Sequence, residues 1–209
     1  MERFTNVPKG SKKNSLQKIN CKNCISSFLQ IVGNWQNTSP IYKINFLKAI
    51  HGFNENLTNY EDLELAAKSI YRTDKYVVFN NIDSYYRNDE NYRAKYHSKE
   101  AADKSIKSFI VFIKSIQKEI INKEKDKKNR NNYCQDIIIG YKTIFLQYIK
   151  ENVKEYKKQN KIIINFFKHH NYLTNKQYIL FFFTQNVLFK FYKIKRIGLF
   201  RFIKYLYKL

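Results

Sequence analysis

Two adjacent carboxylates, Glu61 and Asp62, stand where a turn-rich stretch, His51 to Thr58, gives way to a run with helical spacing. Thr58 or Asn59 is placed to cap that helix, which is expected to reach about Arg72. In a first turn, the backbone N–H groups and the positive end of the helix dipole hold a carboxylate ionised and oriented. Such a carboxylate can take the proton from a hydroxyl as that hydroxyl attacks carbon. The same pair equally suits a helix start with no chemistry attached, since acidic side chains favour first turns. Taken alone, the two residues leave both roles open.

Other reactive side chains are sparser. Cys21 and Cys24 form a lone CxxC, without the second pair or nearby histidines that a zinc site needs, so with Cys134 they read as plain thiols in a reducing compartment. His51, His97 and the pair His169-His170 lack metal-ligand spacing with carboxylates and are expected to be structural or exposed. The five glycines are too scattered for the strand-to-helix turns of a doubly wound sheet, and no phosphate-cradling loop is present.

The elements that must position these residues follow from composition and spacing. The chain has 209 residues, 44% of them hydrophobic, and a formal net charge of +22, enough apolar surface for a core and a strong bias toward anionic partners. Residues 1–24, rich in Lys, Asn and Ser, read as a flexible leader. Ile25 to Val32 is a short apolar helix or strand. Pro40 to Ile50 begins with alternation and shifts to helical spacing, a strand entering a short helix. Tyr76 to Asn80 and Ile82 to Arg87 read as strands around an Asn80-Asn81 turn. From Glu100 the spacing is helical through Ile106, Phe109, Ile113, Ile116 and Ile120. A charged linker at 122–132 follows, and a second helical run, Cys134 to Val153, can pair with the first as a hairpin.

The segment from Trp35 to Arg87 resembles the C-terminal, acceptor-side half of family 2 glycosyltransferases of the A-type fold. In that family a stretch reading roughly Gly-Gly-Phe-Asp-Glu-x-Leu is followed by Glu-Asp-x-Glu/Asp-Leu, an apolar strand and Tyr-Tyr-Arg. Here these stand as His51-Gly52-Phe53-Asn54-Glu55-Asn56-Leu57, Glu61-Asp62-Leu63-Glu64-Leu65, Tyr76-Val77-Val78-Phe79 and Tyr85-Tyr86-Arg87. His51 and Asn54 depart from the family's Gly and Asp. The similarity runs over about residues 25 to 120 and takes in Ser98, Ser105 and Ser108. It implies an α+β, mostly helical fold: a partial glycosyltransferase domain over 25–121, then the linker and a basic helical extension over 133–209.

The resemblance also implies a reaction, sugar transfer with inversion from a nucleotide-sugar donor to a glycan or lipid-linked acceptor. Asp62 is then the base and Glu61 its support. Trp35, Tyr86 and Arg87 become substrate-binding candidates. Trp35 can stack on a sugar ring or, alternatively, anchor a core beside Phe46 and Phe53; Arg87 can meet donor phosphates or, alternatively, pair with Asp83 or Asp89. The family's Mn²⁺ or Mg²⁺ is held by an Asp-x-Asp motif after a nucleotide-binding half, and the 34 residues ahead of Trp35 accommodate neither. Asp62-Leu63-Glu64 belongs to the later helix and is not that metal motif. A truncated or split form, completed by a nucleotide-binding half elsewhere, is expected.

Beyond Glu155 no acidic residue remains, against twelve Lys or Arg in the last 54 residues. On a helical wheel Lys190, Lys193, Arg201, Lys204 and Lys208 share one face, and Phe191, Leu199, Phe202, Leu206 and Leu209 the opposite one. That pattern predicts an interfacial helix on an anionic membrane, with Lys190, Phe191, Arg201, Phe202, Lys204 and Leu206 in contact. The longest apolar run, Tyr178 to Phe189, is too short to span a bilayer, and the polar N-terminus is no secretory signal. A cytoplasmic protein, peripherally associated with the inner face of the cell membrane, is expected. Interleaved Lys and aromatics also suit nucleic acid, but no nucleic-acid-binding signature is present and the apolar stripe suits lipid better.

Overall fold

Apolar side chains recurring every three to four residues run through much of the chain and bury a stripe of its longer helices. The computed structural model describes residues 24–32, 40–73 and 99–191, with side chains described except at 99, 143, 146–156 and 184–191. In chain order the helices are α1 (Cys24–Leu29), α2 (Ile44–Ala49), α3 (Glu61–Arg72), α4 (Lys99–Ile116), a π-helical turn (Gln117–Ile121), α5 (Lys127–His169) and α6 (Asn175–Phe191).

The expected α+β architecture is corrected here: the described residues form helices and no strand. At Pro40 to Lys43 the reason is visible. Lys43 is extended, but Ile41 is 94% exposed and no strand among the described residues offers a ladder, so the segment only leads into α2. The strands expected at 76–80 and 82–87 lie outside the described residues.

The chain divides into two compact units, Met1–Tyr141 and Lys142–Leu209. In the first, α1 lies against α3 and α3 against α4. Ile106, Phe109, Ile113, Ile116 and Ile120 all face inward, together with Phe28, Leu65 and Ile137. The Phe109 ring stacks on Tyr141 of α5 at 6.2 Å, so the two long helical runs do meet. α5 begins at Lys127, inside the expected linker, because the Asp126 carboxylate accepts the Asn129 N–H at 2.8 Å and caps it. Gly140 lets α5 come close to the end of α1: a Cβ there would lie 2.5 Å from the Leu29 carbonyl oxygen. Beside it Gln30 donates to the buried Asp136 carboxylate at 2.6 Å.

In the second unit Ile144, Phe145, Ile163, Ile164 and Phe167 line the inner side of α5, with Tyr172, Leu173 and Phe181 buried. α5 ends where Asn171 turns left-handed (φ 59°) and the Tyr172 N–H reaches back to the Phe167 carbonyl at 2.8 Å. Thr174 and Gln177 then start α6 with reciprocal capping bonds, each side chain accepting the other's backbone N–H. The Lys168 ammonium lies 4.2 Å from the Tyr178 ring centre and that of Lys142 5.7 Å from Phe181.

Candidate active site

The start of α3 is set by its neighbour α4 rather than by its own cap. The Ser108 hydroxyl accepts the N–H groups of Thr58 (3.2 Å) and Asn59 (3.0 Å) and donates to the Asn59 carbonyl at 2.6 Å. The Asn59 side chain, expected to cap α3, instead donates to Ser105 at 2.8 Å. Tyr60 becomes the N-cap, in the left-handed region at φ 70° with no side-chain cap bond, its ring edge-on to Phe109 and Phe112. A bulky residue at positive φ is strained, and the serine clamp and aromatic contacts are what hold it.

This start delivers three acidic side chains with different surroundings. Glu64 is fully buried: its carboxylate accepts the Ser115 hydroxyl and lies 2.9 Å from the Lys68 ammonium, which also donates to the Gly52 carbonyl at 3.1 Å. Lys68 thereby ties the left-handed turn at His51 (φ 62°) and Gly52 (φ 52°) to α3. Glu61 is partly buried, and its Oε2 has no hydrogen-bond partner.

Asp62 lies on the face of α3 that also carries Leu65 and Ser69. Burial pushes its carboxyl above the usual range; the Leu63 and Asp62 backbone N–H groups pull it down, and the Glu61 charge adds to the rise. Tyr42, not singled out from the sequence, completes the cluster. It shares a hydrogen bond with Ser69, and its phenol is raised first by burial, then by the Asp62 charge. An acidic residue serving only to start a helix is pulled down by the N–H groups it faces. At Asp62 desolvation wins, leaving a half-buried carboxylate of raised basicity beside a phenol.

Among the described residues no cluster of three or more His, Cys, Asp or Glu could hold a metal ion. Glu64 is committed to Lys68 and Ser115, so Asp62-Leu63-Glu64 does not fit Mn²⁺ or Mg²⁺. Cys24 and Cys134 are buried thiols, and burial pushes Cys134 up to about 11, which leaves it un-ionised near neutral pH. His51 is exposed. His169 and His170 sit at the end of α5, where burial and then its neighbour's charge lower His170.

Glu61 and Asp62 are therefore brought together, with Tyr42 and Ser69. Trp35, Tyr86, Arg87, Arg201, Phe202, Lys204 and Leu206 lie outside the described residues; Lys190 and Phe191 end α6, their side chains not described. Among the described residues no helix is long and apolar enough to cross a membrane. Compared with known protein families, curated proteins and solved structures, the chain matches none.

Proposed function

We propose that the chain carries the acceptor-side base of a sugar-transferring enzyme resembling family 2 glycosyltransferases. In this role Asp62 takes the proton from an acceptor hydroxyl as it attacks the anomeric carbon of a nucleotide-sugar donor, and Glu61 raises the basicity of Asp62 by its charge. The observation that carries it is the placement of Asp62, a partly buried carboxylate in the first turn of α3 beside the Tyr42 phenol, where burial raises it. The uncovered surface next to Tyr42 supports it: α2 buries none of its residues, and Ile41, Ile44 and Phe53 are exposed, as suits a face completed by a nucleotide-binding half. Donor, acceptor and any divalent ion would be held largely by that half. The enzyme would work at the cytoplasmic face of an anionic membrane, its lipid-linked or glycan acceptor nearby and its basic C-terminal tail on the surface.

The first test is calorimetric titration of the chain with nucleoside diphosphates and nucleotide sugars, with and without Mn²⁺ or Mg²⁺. Binding supports a donor site on this chain; otherwise the complementing half must be added. In the complete enzyme, Asp62→Asn lowers turnover roughly 100- to 10,000-fold with an unchanged fold. Near-normal turnover would remove Asp62 from the chemistry.

A further inference from the structure

Helix α6 turns apolar side chains in two directions. Phe181 points into the second unit at 7% exposure, while Ile179, Phe182 and Phe183 remain 66%, 50% and 64% exposed. Their spacings of three and four put them on one face. The Phe182 ring stacks along Tyr178 one turn earlier, at 6.3 Å. Tyr178 in turn walls an open cleft of about 740 Å³ with Ile162, Phe166, Lys168, His169 and His170. Phe166 and His170 line it with ring centres 4.3 Å apart.

Charge decides what covers this face. The second unit carries fifteen Lys or Arg against two Glu, so a second copy would bring like charge against like. Nucleic acid would satisfy the cations but leave three large apolar side chains in water. An anionic bilayer offers phosphate and hydrocarbon within one layer. Among the described residues α6 is not long and apolar enough to span it, and its exposed apolar face suits it to lie in the interface.

We propose that the second unit docks on an anionic lipid bilayer through the outer face of α6, with Ile179, Phe182 and Phe183 entering the acyl boundary and the cleft at Lys168 and His169 receiving a lipid phosphate. This rests on the membrane part of the function proposed above and adds α6 to the tail as a contact; the base at Asp62 is independent of it.

The test is co-sedimentation of the full chain with phosphatidylcholine vesicles, with and without phosphatidylserine. The parent binds only the phosphatidylserine vesicles, and less as salt rises. Phe182→Ser/Phe183→Ser, at exposed positions and with helicity checked by circular dichroism, lowers partitioning roughly tenfold or more. Lys168→Gln lowers it roughly fivefold. If the double-serine variant binds like the parent while deletion of 192–209 abolishes binding, α6 is not the contact and the tail proposal stands. If the double-serine change only shifts the sedimentation coefficient without vesicles, the face joins copies of the chain and the proposal falls. Absence of vesicle binding by the parent overturns both membrane proposals and leaves the Asp62 test untouched.

Discussion

Asp62 and Glu64 are two residues apart on one helix and meet opposite fates. Glu64 is enclosed and paired with Lys68, and such a pair is felt mainly when one member is removed. Lys68→Met is expected to cost about 3–5 kcal/mol in urea unfolding, because the Glu64 charge is left buried, whereas Glu64→Leu/Lys68→Met recovers most of that loss. Asp62 works against the fold in the opposite sense. Its carboxyl is raised, so its favourable contribution to stability is full below the ordinary carboxylate range and is lost as pH rises through the raised value. Asp62→Asn should therefore be as stable as the parent or more so at neutral pH, with the difference closing on acidification. Urea midpoints across pH 4 to 8 check this, a clear loss of stability at neutral pH being the contrary outcome.

At the scale of elements, α3 is held at its start by α4, and α1 is held at its end by α5. Ser108 satisfies two N–H groups and one carbonyl of the loop that forces Tyr60 into the left-handed region. Ser108→Ala is expected to cost about 1–3 kcal/mol, since those groups lose their partner. It should also lower turnover of the complete enzyme, because the direction of Asp62 depends on that loop. At Gly140 the contact is steric. Gly140→Ala would drive a methyl into the Leu29 carbonyl, 2.5 Å away, with an expected loss of about 1–3 kcal/mol, read as a lower urea midpoint. Ile31, at φ 60°, stands beside the same contact and has no slack to give.

Across the whole molecule, two units with separate cores predict that unfolding is not a single cooperative event. Phe109, Phe112 and Ile113 anchor one core and Ile163, Ile164 and Phe167 the other. Scanning calorimetry should give a calorimetric enthalpy clearly above the van't Hoff enthalpy. Equal values would mean that α5, which runs through both units, couples them into one transition.

Much of this was written in local spacing. The seam Ile106, Phe109, Ile113, Ile116 and Ile120 is buried throughout, and the Glu61-Asp62 start of α3 lies where turn and period place it. Two more local signals lie in the sequence as well: Asp126 ahead of α5 and the Thr174-Gln177 capping box. Apolar alternation at Pro40 misled because a strand exists only when a second strand pairs with it, which local pattern cannot report. By itself the sequence determined the helical faces, the positive C-terminal half and the position of the carboxylate pair, all properties of near neighbours in the chain. Only the tertiary structure decided that Tyr42 stands by Asp62, that Ser108 rather than Asn59 shapes the start of α3, and that Glu64 is the acid neutralised inside. Those outcomes depend on burial and on contacts across many residues of sequence, where desolvation and packing override local preference.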